Sequence, residues 1–158
     1  MSVVVEPPTF NDTNAIADLF FEDMKHLGVD VPLPKMQALA AEVVADFHNN
    51  GRGLLWVARM GPGEVPVGVI LGMKSWSLKF AGTSVWIEEL FVSPSARRNG
   101  VGRLLVDALL DWAEEHQVDG VDLEAYQGNT PASILYHRSI GFRRLGRERF
   151  CLELGSGR

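Results

Sequence analysis

Between Leu54 and Val92 the chain carries three strand-like runs separated only by turns, and the spacing of its apolar residues then switches to that of a helix. The first run is Leu54 to Arg59, Gly61-Pro62-Gly63 is a turn, and the second run is Val65 to Trp76. After Ala81-Gly82 a third extends from about Thr83 to Val92 and is closed by Ser93-Pro94. Connections this short join neighbours of an antiparallel meander. Gly68 and Gly72 inside the second run mark a bulge or the close approach of another backbone. From Gly100 to His116, Val101, Leu104, Leu105, Ala108, Leu109, Trp112 and Ala113 share one helical face. A meander followed by such a helix and then a strand requires a mixed sheet with helices on its faces.

The flanks fit that frame. Val3 to Val5 is a β-branched run stopped by Pro7-Pro8, and Asn11 or Asp12 can cap a helix with Ile16, Leu19, Phe20, Met24 and Leu27 on its apolar face. Gly28 and the stiff Val31-Pro32-Leu33-Pro34 connector lead to a second helix, about Lys35 to Phe47, carrying Met36, Leu39, Ala40, Val43, Val44 and Phe47. Downstream, Val121 to Glu124 alternates as a short strand. Thr130 with Pro131 signals a helix start, Gly141 its end, and Phe142 to Leu154 has room for two last strands around Gly146. The expected order is β-α-α-β-β-β-α-β-α-β-β, an α/β fold with a mixed sheet. Neither a repeat nor a linker divides it, so residues 1–158 are expected to form a single domain.

Composition narrows the function classes. At 158 residues, 46% hydrophobic and 22% charged, the chain can bury a full core and is not of disordered type. Its net charge of −5 argues against a general nucleic-acid or membrane-surface binder. Cys151 stands alone, which excludes an internal disulfide and a multi-cysteine metal site. In the run Phe150-Cys151-Leu152 it reads as a packed thiol, and core packing is the expected role of Trp76 and Trp86. His26, His48, His116 and His137 never fall at metal-ligand spacing, so no metal is expected. Arg143-Arg144 and Arg147 to Arg149 read as the solvent face of late strands. The acidic, proline-bearing start is unlike a secretory signal, and no stretch approaches the roughly 18 apolar residues of a membrane span, so a cytoplasmic location is expected.

Chemistry concentrates where the third strand of the meander meets the long helix. In Val92-Ser93-Pro94-Ser95-Ala96-Arg97-Arg98-Asn99-Gly100-Val101-Gly102 a strand ends, paired arginines follow, and two glycines open a helix. Free N–H groups and the positive end of the helix dipole make such an entry an anion site, and arginines add charge-assisted hydrogen bonds. Spacing alone leaves a plain loop-to-helix entry equally open. No Lys-Ser or Lys-Thr follows as in a Walker loop, and the third glycine of a dinucleotide fingerprint is missing.

The stretch Arg97-Arg98-Asn99-Gly100-Val101-Gly102 resembles the Gln/Arg-x-x-Gly-x-Gly/Ala signature of the GCN5-related N-acetyltransferases. Ile87-Glu88-Glu89-Leu90-Phe91-Val92-Ser93-Pro94 before it resembles that family's fourth strand, and Asn129 to Tyr136 through Gly141-Phe142 the second half of its coenzyme site. The resemblance implies direct transfer of an acetyl group from acetyl-coenzyme A to a primary amine. Backbone groups of Leu90, Phe91 and Val92 would bind the pantetheine arm and acetyl carbonyl, in a gap left where the bulged fourth strand splays from the fifth. Arg97 would add charge, amides of Arg98, Asn99, Gly100, Val101, Gly102 and Arg103 would cradle the pyrophosphate, and Asn129 and Ser133 would face the coenzyme arm. Tyr136 stands at the position of the general acid. Glu88 matches the glutamate that serves as base in polyamine-type members and is favoured over Glu89, the two lying on opposite faces of a strand. The acceptor is expected to be a small cationic amine. The alternatives are a peptide or protein acceptor, a longer acyl donor, or a coenzyme-binding module without catalysis; dimers are common in the family.

Overall fold

The computed structural model describes residues 2–126 and 130–155. The chain divides into two compact units, residues 1–124 and 125–158. In the first, β1 (Val4–Glu6), α1 (Thr13–His26), α2 (Leu33–His48), β2 (Gly53–Arg59), β3 (Gly68–Ser77), β4 (Gly82–Val92), α3 (Val101–Glu115) and β5 (Gly120–Leu123) follow one another as expected. The five strands lie side by side in chain order. All pairs are antiparallel except β4 with β5, whose connection runs through α3.

Each face of the sheet is covered by the helices whose apolar stripes predicted it. Ile16, Ala17, Leu19 and Phe20 of α1 and Met36, Ala40 and Val44 of α2 form one core with Leu55, Val57, Val69, Leu71 and Phe91 of the strands. Leu39, expected on that stripe, is about half exposed. The opposite face packs on α3, whose Val101, Leu105, Val106, Leu109 and Ala113 are buried. Gly72 lies where Leu109 crosses the sheet: a Cβ there would come within 2.8 Å of Leu109 Cδ1 and 2.9 Å of Val85 Cγ1. The glycine is needed for room, not for an unusual φ.

One buried polar cluster ties the edge of the sheet together. Arg59 donates from Nη1 and Nη2 to the two carboxylate oxygens of Asp12 at 2.9 and 2.7 Å, from Nε to Glu6 at 2.7 Å, and from Nη1 to the Glu64 carbonyl at 3.0 Å. The Asp12 carboxylate also accepts from the Thr9 amide, so the capping expected of it serves a short turn before α1. The guanidinium hydrogen bond holds Asp12 below the usual carboxylate range. Removing one member of a buried pair strands the other, which costs about 3–5 kcal/mol. Arg59→Met should therefore lower the unfolding free energy read from urea melts by that amount; a loss under about 1 kcal/mol would mean that Asp12 reaches solvent.

In the second unit a helix begins at Thr130, widens to π geometry over Ile134–Ile140, and stops at Gly141 with φ +98°. Amides of Gly141 and Phe142 both donate to the Tyr136 carbonyl, closing the helix as its glycine predicted. The two strands expected in Phe142 to Leu154 are not formed among the described residues. The segment has the period of a strand but no ladder partner, and it leaves Phe150, Leu152, Leu154 and Cys151 exposed. Cys151 is thus not the packed thiol its neighbours suggested. Trp76, expected in the core, is 92% exposed, because β3 there runs beyond the last β2 partner at Met73.

Candidate active site

β4 carries the feature on which the site turns. Leu71 of β3 pairs with Glu89 while the next residue, Gly72, pairs with Ile87, so Glu88 is an extra residue in β4. A bulge of this kind re-aims the side chains that follow it. Val85 and Ile87 share the α3 face with Gly72; after the bulge, Glu89 and Phe91 share the opposite face with Leu71 and Val69, against α1 and α2. Strict alternation would have put Glu89 on the α3 face. Glu88, favoured in the sequence, is itself the bulged residue, exposed and accepting a 3.0 Å hydrogen bond from Trp86 Nε1.

The bulge also falls just past the point where β5 ends beside β4. Their parallel ladder ends at Ile87 and Leu123. Farther along β4, the Ser93 amide donates to the Val67 carbonyl of the chain leading into β3 at 2.8 Å. By antiparallel alternation Phe91 also bonds toward β3, while Leu90 and Val92 turn their backbone groups to the side where β5 no longer pairs. Arg97 Nε reaches the Val92 carbonyl at 3.0 Å, and its guanidinium lies 5.7 Å from the centre of the Phe91 ring. Arg97 therefore braces the end of β4 as well as supplying charge.

At Glu89 the electrostatics are unusual. Its carboxyl is half-buried and feels the carboxyl of Asp23 on α1. Burial first and the Asp23 carboxyl second push it up to about 9, against a smaller downward pull from the Leu90 amide; the Glu88 charge adds a little. Asp23 was missed in the sequence. The signal was there: it follows Phe20 by three on the stripe that packs on the sheet, a position where a carboxylate needs a reason.

The loop before α3 combines two left-handed residues with an uncapped helix start. Gly100 precedes α3 with φ +73°, and Arg98 is left-handed at φ +66°. The first helical bond runs from the Leu104 amide to the Gly100 carbonyl, so the amides of Val101 and Gly102 precede the helix's own ladder. No side chain of Gly100 exists to cap them, and a Cβ there would meet no atom within 4 Å. Asn99 Nδ2 instead donates back to the Ala96 and Arg97 carbonyls, pinning the turn. Val101 is buried under the sheet, and Arg103 pairs with Asp107 at 3.0 Å. An open row of N–H groups at the positive end of a fifteen-residue helix, with arginines beside it, fits the pyrophosphate of coenzyme A.

In the second unit Tyr136 is half-buried, its ring edge-on to Phe142 at 6.0 Å. Ser133 ends the α-helical turn before it, and Asn129 lies outside the described residues. No cluster of three metal-ligating side chains occurs among the described residues.

A mixed sheet with a bulged fourth strand beside a glycine-opened helix is the arrangement the resemblance to an acyl-coenzyme A N-acyltransferase implied. Residues 14–142 match the model of the acetyltransferase (GNAT) family, and the chain belongs to it. Its acetyl donor is accordingly acetyl-coenzyme A. Three solved structures share the fold over nearly the whole chain. A possible acetyltransferase from Clostridium difficile 630 is 17% identical, with 98% of this chain and 99% of that one covered and a TM-score of 0.80. A predicted acetyltransferase from Clostridium acetobutylicum, solved with acetyl-CoA, is 16% identical, with 97% of both chains covered and a TM-score of 0.74. AAC(6')-Iy, solved with the bisubstrate analogue CoA-S-monomethyl-acetylneamine, is 17% identical, with 97% and 99% covered and a TM-score of 0.77. None of the curated proteins compared with the chain matches it.

Proposed function

We propose that the protein transfers the acetyl group directly to a primary amine of a small cationic molecule, with Glu89 as base and Tyr136 as acid. The observation that carries this reading is the β4 bulge, which lies beside the open strand edge at Leu90 and Val92 and turns Glu89 to the α1 face. Acetyl-coenzyme A supplies a thioester, whose carbonyl carbon is open to attack by an amine. The chain's part is to bind, orient and move protons. Amides from Arg98 to Arg103 hold the pyrophosphate, with Arg97 adding charge. Backbone groups of Leu90 and Val92 align the pantetheine arm, those of Phe91 being turned toward β3, and an amide on that open edge stabilises negative charge on the acetyl oxygen. Glu89 takes the proton that the amine must lose, and the Tyr136 phenol gives one to the departing thiolate. Asn129 and Ser133 are assigned to the coenzyme arm on their place in the motif.

Glu89 replaces Glu88 in this reading because the Glu88 carboxylate is exposed and already bonded to Trp86. Support for a cationic acceptor comes from the carboxyls of Glu89 and Asp23 and from the net charge of −5. The AAC(6')-Iy structure, in complex with a bisubstrate analogue of coenzyme A and acetylneamine, is a further support. One domain over residues 1–158 is the reading for the whole chain, since the family match runs through both units. A cytoplasmic location agrees with the single cysteine, and among the described residues no helix is long and apolar enough to cross a membrane.

The test is thiol release from acetyl-coenzyme A against polyamines, amino acids, aminoglycosides and lysine peptides, with calorimetric coenzyme binding alongside. Turnover confined to lysine peptides would replace the small amine by a protein acceptor, and coenzyme binding without turnover on any amine would favour a module that has lost catalysis. Tyr136→Phe should lower kcat about 10²-fold or more while coenzyme affinity changes little. An unchanged kcat would remove Tyr136 from the mechanism.

A further inference from the structure

At one end the sheet outruns the helix that covers it. β3 continues to Ser77 and β4 begins at Gly82, but β2 gives β3 no partner beyond Met73 and α3 stops at Glu115. Lys74 and Trp76 stand two and four residues beyond Gly72 and so share its face, paired with Val85 and Thr83 of β4. On α3, Trp112 follows the buried Leu109 by three and precedes His116 by four, which brings both rings to that end of the sheet. With Val118 these side chains line an open hollow of about 490 Å³. Small-molecule sites run from about 300 to 1,000 Å³, so the space suits a ligand of one or two fused rings.

The walls of the hollow are aromatic and partly fixed. The rings of Trp112 and His116 stack at 4.0 Å and 14°. His116 Nδ1 lies 2.8 Å from the Trp112 carbonyl, and a carbonyl only accepts, so that nitrogen carries a proton and the pair is held. Trp76 stands almost wholly exposed at the rim, with most of its apolar surface still to gain from a flat molecule laid against it. The charge in the hollow is one-sided. Lys74 Nζ lies 5.8 Å from the centre of the Trp112 ring and forms no ion pair among the described residues. No acid lines the hollow, and the Asp119 carboxylate next to Val118 accepts from the Thr83 amide at 2.8 Å. The last carbonyls of α3 are also taken: those of Trp112, Ala113 and Glu114 accept from the amides of His116, Val118 and Gln117.

We propose that this hollow is a second binding site, separate from the acetyl-transfer site, for a small planar aromatic molecule that bears an anionic group such as a carboxylate. The ring of the ligand lies against Trp76 and Trp112, and its anion meets the Lys74 ammonium. The site stands at the opposite end of α3 from Gly100, fifteen residues of helix away, or about 22 Å at 1.5 Å per residue. The cationic amine proposed as acetyl acceptor has the wrong charge for it.

The probe is 2-naphthoate, titrated into ¹⁵N-labelled full-length protein while the indole N–H signals of Trp56, Trp76, Trp86 and Trp112 are followed. The signals of Trp76 and Trp112 should shift and saturate below about 10 mM, while those of Trp56 and Trp86 hold still. Naphthylmethylammonium, with the same rings and the opposite charge, should bind at least about fivefold more weakly. Lys74→Met keeps the apolar stem; it should weaken naphthoate about fivefold or more and erase the preference between the probes. Trp76→Ser should weaken both probes, and Trp76→Leu serves in its place if the serine variant does not fold. Saturating coenzyme A should leave the naphthoate titration where it was; competition would join the hollow to the coenzyme site and overturn the proposal. Absence of saturable shifts at Trp76 and Trp112, or equal binding of the two probes, overturns it as well. So does movement of those two signals with protein concentration alone, which would assign the face to a second copy of the chain.

Discussion

Glu89→Gln is expected to make the protein more stable as the pH rises and, in the same molecule, nearly inactive. Glutamine keeps the shape of the side chain and a hydrogen-bonding oxygen for the Leu90 amide, but it cannot ionise. The carboxyl of the unfolded chain loses its proton near the ordinary value of 4.5, whereas burial and Asp23 hold the folded one to about 9. Between those values the folded state binds more protons than the unfolded state, so stability falls with rising pH. The contribution of protonated Glu89 is thus complete below about 4.5 and lost once the pH passes about 9. Wild type and Glu89→Gln should melt at nearly the same temperature at pH 5. At pH 8 the variant should be ahead by about 1–2 kcal/mol after allowance for the partial exposure of the group, or about 2–8 °C in Tm. Turnover should fall about 10²- to 10⁴-fold, the usual worth of a positioned base. Melting curves across that pH range, beside the thiol-release assay, read both effects. A Tm difference that does not change with pH would show that Glu89 is not held protonated by the fold. The conjunction matters more than either half, since a side chain kept at a cost to stability is the mark of a working site.

What the sequence could reveal of this site follows from the range of the forces involved. The helices and the meander came through because their apolar spacing is local, and Gly100 and Gly141 announced themselves because only a glycine sits easily at a φ of +73° or +98°. The bulge was legible in part: Gly72 pointed to an irregularity in β3 and the family resemblance to a bulged fourth strand, but only the register shows that the extra residue is Glu88. Register is a property of two strands together, and period-two reasoning on β4 alone cannot say which glutamate is turned to which face. The Asp23–Glu89 and Asp12–Arg59 pairs were out of reach for the same reason, each joining residues far apart in the chain that only packing brings together. Trp76 and the segment from Phe142 to Leu154 mark the opposite failure. Their apolar residues promised burial, but a side chain is buried only if some element covers it, and the spacing of its own strand carries no information about the cover.

Gly100→Glu is expected to abolish coenzyme binding while leaving the fold nearly intact, a separation that follows from two properties of one position. The backbone there is left-handed, φ +73°, which costs a residue bearing a Cβ about 1–2 kcal/mol. The space beside it is open, with no atom within 4 Å of where a Cβ would stand, so no core packing is disturbed. A modest fall in Tm should therefore be common to Gly100→Ala and Gly100→Glu. Affinity should separate them. Alanine leaves the amides of Val101 and Gly102 at the helix entry available and adds only a methyl group. Glutamate adds bulk and a negative charge at the end of the helix where the dipole otherwise attracts an anion, and its carboxylate competes for the same amides. Calorimetric titration with coenzyme A should show Gly100→Ala binding within about tenfold of wild type and Gly100→Glu weaker by at least about 10²-fold, since each charge-assisted hydrogen bond lost costs about 1.5–3 kcal/mol. High salt should narrow the gap only in part, because bulk persists when charge is screened. Equal affinity in all three proteins would mean that the coenzyme's phosphates lie elsewhere, and the arginine-glycine loop would then be no more than the entry to α3.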